Sequence, residues 1–194
     1  MSTPDIVAAL TPIVDVFQSL GVPYCVAGSI ASSAHGIARS TLDVDIVADL
    51  RLEHVKPLVS ALARDYYIEH SAAEDAVRRR AMFNVINLAT MLKVDVYLLT
   101  GRDFGQASFE RRTPMALEPH EGARPYSMDT PEDTVLHKLE WYRAGGEVSE
   151  RQWGDVVGVL AVQGAALDRT YLRSWATALG VDELLERALA AAGR

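Results

Sequence analysis

Three aspartates hold the most chemical information in this chain. Asp43 and Asp45 lie two apart in Asp43-Val44-Asp45-Ile46-Val47, and Asp95 sits among apolar residues in Lys93-Val94-Asp95-Val96-Tyr97. On a strand, residues two apart project from one face. Asp43 and Asp45 therefore point together while Val44 and Ile46 pack behind. Carboxylates held that close repel each other unless positive charge lies between them. A hard divalent cation, Mg2+ or Mn2+, meets that need through oxygen ligands. If the second strand lies beside the first, Asp95 joins the same patch. That is the ligand set of two ions that clamp a triphosphate and an attacking hydroxyl.

Gly28-Ser29 adds a phosphate-binding element. It follows the apolar run Tyr24-Cys25-Val26-Ala27 and precedes a short helical segment, Ser29 to His35. Backbone N–H groups point outward at such a strand-to-helix junction, and glycine lets a phosphate approach closely. The Ser29 hydroxyl supplies a further hydrogen bond. A lone Asp-x-Asp or a lone Gly-Ser is common in proteins without this chemistry. The ordered succession of strand, Gly-Ser, helix, Asp-x-Asp strand and Asp strand is far more specific.

The elements that must position these residues follow from periodicity. A helix is expected over 3–20, capped by Thr3, broken or kinked at Thr11-Pro12, and stopped by Gly21. Strands are expected at 24–27, 44–48 and 66–69, with a helix at 52–64. Ser71-Ala72-Ala73-Glu74 reads as a capping box opening a short helix. Residues 83–88 and 92–99 read as a hairpin. After about residue 125 the pattern becomes helical. Thr130-Pro131-Glu132-Asp133 starts a helix that runs to Arg143, followed by helices near 149–162, 168–179 and 182–192. The expected division is 1–125, a catalytic core mixing strands and helices, and 126–194, a helical C-terminal part, with the Pro- and Gly-rich stretch 118–126 between them.

With these motifs in place, the chain resembles the nucleotidyltransferase superfamily of DNA polymerase beta over residues 24 to 160. Arg39-Ser40-Thr41-Leu42-Asp43-Val44-Asp45 is similar to bacterial members grouped with the AbiEii/AbiGii abortive-infection toxins. Pro131-Glu132-Asp133, Lys138-Leu139, Tyr142-Arg143, Arg151-Gln152-Trp153 and Asp155 resemble the helical motifs of that group. The resemblance implies an α+β fold, a mixed sheet flanked by helices and followed by a C-terminal helical bundle. It implies that Gly28 and Ser29 contact phosphates, that Asp43, Asp45 and Asp95 bind metal, and that Asp95 helps deprotonate the acceptor hydroxyl. Lys138 would neutralise triphosphate charge, and Arg39 would hold phosphate or acceptor. The plainer readings are a snorkelling surface lysine for Lys138 and an Arg151–Asp155 pair along one helix.

Composition bounds the partners. Hydrophobic residues are 49% and charged residues 23% of 194, as in folded chains with a real core. The single cysteine, Cys25, excludes an internal disulfide and reads as a small buried hydrophobe. No window approaches the ~20 apolar residues of a membrane span, and Met1 to Asp5 lacks a signal-peptide start. A cytoplasmic protein without membrane contact is expected. The net charge of −7 opposes broad attraction to nucleic acid; Arg78-Arg79-Arg80 and Arg111-Arg112 are local basic runs. The expected activity is transfer of a nucleoside monophosphate from an NTP to a hydroxyl with release of pyrophosphate. The acceptor would be RNA, tRNA or protein in a toxin-like enzyme with an antitoxin partner, or a small antibiotic. A non-catalytic nucleotide- or partner-binding module is the other alternative.

Overall fold

The computed structural model describes residues 3–41, 43–118 and 120–193. In chain order the elements are α1 (Thr3–Ser19), β1 (Tyr24–Ala27), α2 (Gly28–His35), β2 (Asp43–Ala48), α3 (Leu52–Leu62), β3 (Tyr66–Tyr67) and α4 (His70–Arg79). There follow β4 (Met82–Asn87), β5 (Lys93–Leu98), α5 (Asp103–Arg111), β6 (Thr113–Ala116) and β7 (Pro125–Met128). The chain closes with α6 (Pro131–Ala144), α7 (Glu150–Gln163), α8 (Arg169–Leu179) and α9 (Asp182–Ala192).

These elements form two compact units that interleave along the sequence. The sequence reading places the change of texture near residue 125. In the structure Met1–Ala27 and Ser40–Met128 make the first unit, and Gly28–Arg39 with Asp129–Arg194 the second. Helix α2 belongs to the second because it packs on α6 and α7.

The first unit is built on a mixed sheet, seven-stranded among the described residues, in the order β3-β4-β5-β2-β1-β7-β6. Strands β2 and β5 run parallel, as do β1 and β7; the other neighbours are antiparallel. The alternation expected of β2 is present: Val44, Ile46 and Ala48 are fully buried, and Asp43, Asp45 and Val47 lie half-buried on the other face. The β4–β5 pair is the expected hairpin. Its turn is held by the Asn87 side chain, which accepts from the backbone of Ala89 and Thr90.

Several local expectations change. Helix α1 continues through Pro12 without a break. Helix α4 begins at His70, because the Glu69 carboxylate caps it by accepting from the backbone of Ser71 and Ala72. Strand β3 ends at Tyr67, two residues short of the expected 69. Helix α5 and strands β6 and β7 carry no clear periodicity. Both strands contain proline, which periodicity reads as punctuation; the sheet tolerates Pro114 because β6 is an edge strand, and Pro125 because it is the first residue of β7.

In the second unit a close approach sets the geometry. A Cβ added at Gly36 would stand 2.8 Å from the backbone nitrogen of Val159 and 3.0 Å from the carbonyl carbon of Gly158. Only glycine admits α7 this near. Gln163 on α7 donates to the His35 carbonyl (2.7 Å), and His35 Nε2 bonds the Asp129 carbonyl oxygen (2.7 Å). Gly36→Ala should cost about 1–3 kcal/mol through overpacking against backbone. Gly154, on the same helix with nothing within 4 Å of an added Cβ, gives the opposite sign: Gly154→Ala should stabilise by up to about 1 kcal/mol. Urea denaturation of both variants checks this pair.

Candidate active site

The first unit places the three aspartates on one face. In the parallel β2–β5 ladder Asp43 pairs with Lys93, Asp45 with Asp95, and Val47 with Tyr97. On the far side of β5, Asn84 pairs with Asp95; on the far side of β2, Ala27 pairs with Asp45. A single row therefore crosses four strands as Asn84, Asp95, Asp45 and Ala27. The neighbourhood of β2 and β5, a condition in the sequence argument, is met.

Asp95 is almost wholly buried and its two oxygens are used differently. Oδ1 accepts from Asn84 Nδ2, and Oδ2 accepts from Lys93 Nζ at 2.8 Å. The same ammonium lies 3.6 Å from Asp43 Oδ1. Lys93 thus supplies the positive charge that the carboxylates require. Its hydrogen bond to Asp95, reinforced by the nearby Asp43 charge, raises the ammonium's pKa above the ordinary lysine value. Burial, followed by the charges of Asp45 and Asp95, pushes the Tyr97 phenol up as well.

Among the described residues, no three His, Cys, Asp or Glu side chains stand grouped for a metal ion. The donor set still fits a hard divalent cation in kind, since it offers carboxylate oxygens on one sheet face. The Lys93 ammonium is the cation that lies between two of the carboxylates, Asp43 and Asp95.

The second unit gathers the other predicted residues. Gly28 leaves β1 directly into α2 with φ of +60°, a conformation that costs residues with a Cβ about 1–2 kcal/mol. Ser29 follows in the first turn. Its Oγ accepts from Arg39 Nη2 at 2.7 Å. The Arg39 guanidinium is held bidentately by Asp155, Nε to Oδ1 at 2.7 Å and Nη2 to Oδ2 at 2.8 Å. Lys138 Nζ reaches Asp155 Oδ2 at 2.7 Å and Gln152 Oε1 at 3.1 Å. The Lys138 side chain is 6% exposed, so it is not a snorkelling surface lysine. The plainer reading of Asp155, a pair with Arg151 along the helix, gives way because Asp155 faces Arg39 and Lys138 instead. Burial by itself would raise the Asp155 carboxyl; the hydrogen bonds from Arg39 and Lys138 together outweigh it and hold the group below its ordinary value.

Sequence reasoning missed Lys93, Asn84 and the pivot role of Asp155. Lys93 had a usable signal, since it lies two residues before Asp95 and shares its face. Asn84 needs the hairpin register. Arg39 and Asp155, 116 residues apart, carry no local signal.

No protein-family profile matches the chain, and no curated protein is similar to it by sequence. Solved structures are similar in fold. The antibiotic-resistance factor ANT(2″)-Ia, in its solution structure, matches with a TM-score of 0.62 at 12% identity, covering 96% of this chain and 99% of that one. ANT(2″)-Ia in complex with adenylyl-2″-tobramycin gives 0.58 at 13%, over 91% and 97%. An antigenic nucleotidyltransferase-like protein from Paracoccidioides brasiliensis gives 0.53 at 14%, over 94% and 92%. At these identities the likeness shows the fold, a mixed sheet flanked by helices as in nucleotidyltransferases.

Asp155→Ala should destabilise the protein by about 3–5 kcal/mol, because it strands the buried Lys138 charge. Arg39→Ala should cost less, since Asp155 keeps Lys138 and the Arg39 side chain already reaches solvent (24% exposed). Denaturant titration orders the two. With its folded pKa depressed, Asp155 contributes stability fully above its ordinary 3.8. That contribution is lost as pH falls through the lowered value. The Asp155→Ala deficit should therefore shrink below about pH 4.

Proposed function

We propose that this protein is a metal-dependent nucleotidyltransferase that moves a nucleoside monophosphate from an NTP to an acceptor hydroxyl and releases pyrophosphate. The observation that carries the reading is the Asp45–Asp95 register with Asp43 on the same face, within a fold that nucleotidyltransferases share. Asp43, Asp45 and Asp95 would hold Mg2+ or Mn2+, which when bound polarises the phosphoryl oxygens and acidifies the attacking hydroxyl. The Asp95 carboxylate, fixed by Asn84, takes the hydroxyl proton. Ser29 Oγ accepts from Arg39, which leaves its own proton to donate to a phosphate oxygen. The Gly28 turn presents the first amides of α2 to the same group. Within the second unit, Lys138 and Arg39, oriented by Asp155, supply positive charge suited to phosphate oxygens.

For the acceptor, a small polyhydroxylated molecule is favoured over RNA, tRNA or protein. One fold neighbour, ANT(2″)-Ia, was solved in complex with adenylyl-2″-tobramycin, and the charge of −7 disfavours extended polyanions. The longer basic run of this chain is internally paired: Arg78 with Glu74, Arg79 with Asp75 and Arg80 with Asp49. That pairing weakens the case for a nucleic-acid track, and with it the toxin-like reading and its antitoxin partner. No described helix is long and apolar enough to cross a membrane.

The test is incubation with each α-labelled NTP, magnesium, and parallel acceptor sets of aminoglycosides, total RNA and lysate protein. Label should move to a small acceptor. Asp43→Asn and Asp45→Asn should abolish transfer, and Lys138→Ala should reduce it on the order of 10²-fold, as loss of one electrostatic stabiliser does. Label on RNA or protein alone would favour the toxin-like reading. NTP binding without transfer to any set would favour a non-catalytic module.

A further inference from the structure

We propose that Lys93 is a built-in counter-ion that competes with divalent metal for Asp43 and Asp95 and leaves them when metal binds. The inference rests on the metal-site reading above. Lys93 Nζ sits 2.8 Å from Asp95 Oδ2 and 3.6 Å from Asp43 Oδ1, so a divalent cation held by the same two carboxylates would have to contend with the ammonium's charge. Both cannot hold the pair at once.

The surroundings suit an exchange. Asp95 does not depend on Lys93 for its orientation, because Asn84 grips the other oxygen, Oδ1, and the side chain is 9% exposed. Oδ2 is therefore the atom presented to whichever cation is there. Lys93, by contrast, is 40% exposed on a flexible four-carbon stem, so its ammonium can return to water at small cost. Asp43 is half exposed and free to adjust its rotamer. The sheet register fixes the carboxylates, and the lysine neutralises them until a stronger cation arrives. Metal-free protein is then stable, and occupancy sets in only at a metal concentration high enough to displace the ammonium.

The test is Mn2+ binding without nucleotide, followed by loss of the free-ion EPR signal, in wild type, Lys93→Met, Lys93→Arg and Arg64→Gln. Arg64, 93% exposed on the same unit, controls for a general change in surface charge. Lys93→Met should bind Mn2+ roughly ten-fold more tightly than wild type, the scale of one unfavourable cation–cation contact near a surface. Lys93→Arg and Arg64→Gln should stay near wild type. Thermal melts supply a second readout. Metal-free Lys93→Met should melt below wild type, and saturating Mn2+ should raise it by more than it raises wild type. If Lys93→Met is too unstable to titrate without metal, Lys93→Gln takes its place with the same expectation. Wild type and Lys93→Met binding Mn2+ equally, or Lys93→Met binding it more weakly, would overturn the Lys93 inference and leave the metal site standing. Binding by neither would overturn both.

Discussion

Carboxylates on hydrogen-bonded neighbouring strands repel one another when they share a sheet face, a cation among them offsets that repulsion, and this constraint organises the first unit. The β2–β5 register sets Asp45 beside Asp95 and Asp43 beside Lys93. Buried Val44, Ile46, Val94 and Val96 on the opposite face fix that register, since a one-residue slip would exchange apolar and charged faces. Lys93 and Asn84 then divide the two oxygens of Asp95 between them. Hydrophobic burial on one side of the sheet thus supports an electrostatic arrangement on the other that would not hold together by itself.

The second unit answers the same constraint with the signs reversed. Two cations, Arg39 and Lys138, converge on the single carboxylate of Asp155. Backbone geometry permits it: Gly36 lets the end of α2 come within contact of α7, three residues before Arg39 and next to the helix that carries Asp155. Bidentate pairing fixes the plane of the guanidinium, which in turn fixes the Ser29 hydroxyl. Asp155 is a positioning residue in this scheme, acting through the groups it orients.

Much of the first unit was legible because period-two alternation marks β2 and β5 without ambiguity, and Asp43, Asp45 and Asp95 stand on them. Gly28-Ser29 was legible because the strand-to-helix turn needs glycine. Strands β6 and β7 were not, since each is four residues long and carries a proline, Pro114 in one and Pro125 in the other. Glu69 as a cap was hidden by a competing pattern starting at Ser71. Pairings such as Arg39 with Asp155 depend on tertiary packing between residues far apart in the chain, and no local rule registers them. Lys93 was within reach of the periodicity argument. The chain supplies its own cation two residues before Asp95, on the same strand.

The most direct test of the central claim is calorimetric binding of an NTP analogue with a non-cleavable α–β linkage, with and without magnesium, to wild type and Asp45→Asn. The account predicts binding that strengthens strongly with magnesium in wild type and loses that dependence in Asp45→Asn, with weak metal-free binding unchanged. Equal affinity with and without magnesium in wild type, or an undiminished magnesium effect in Asp45→Asn, would contradict it.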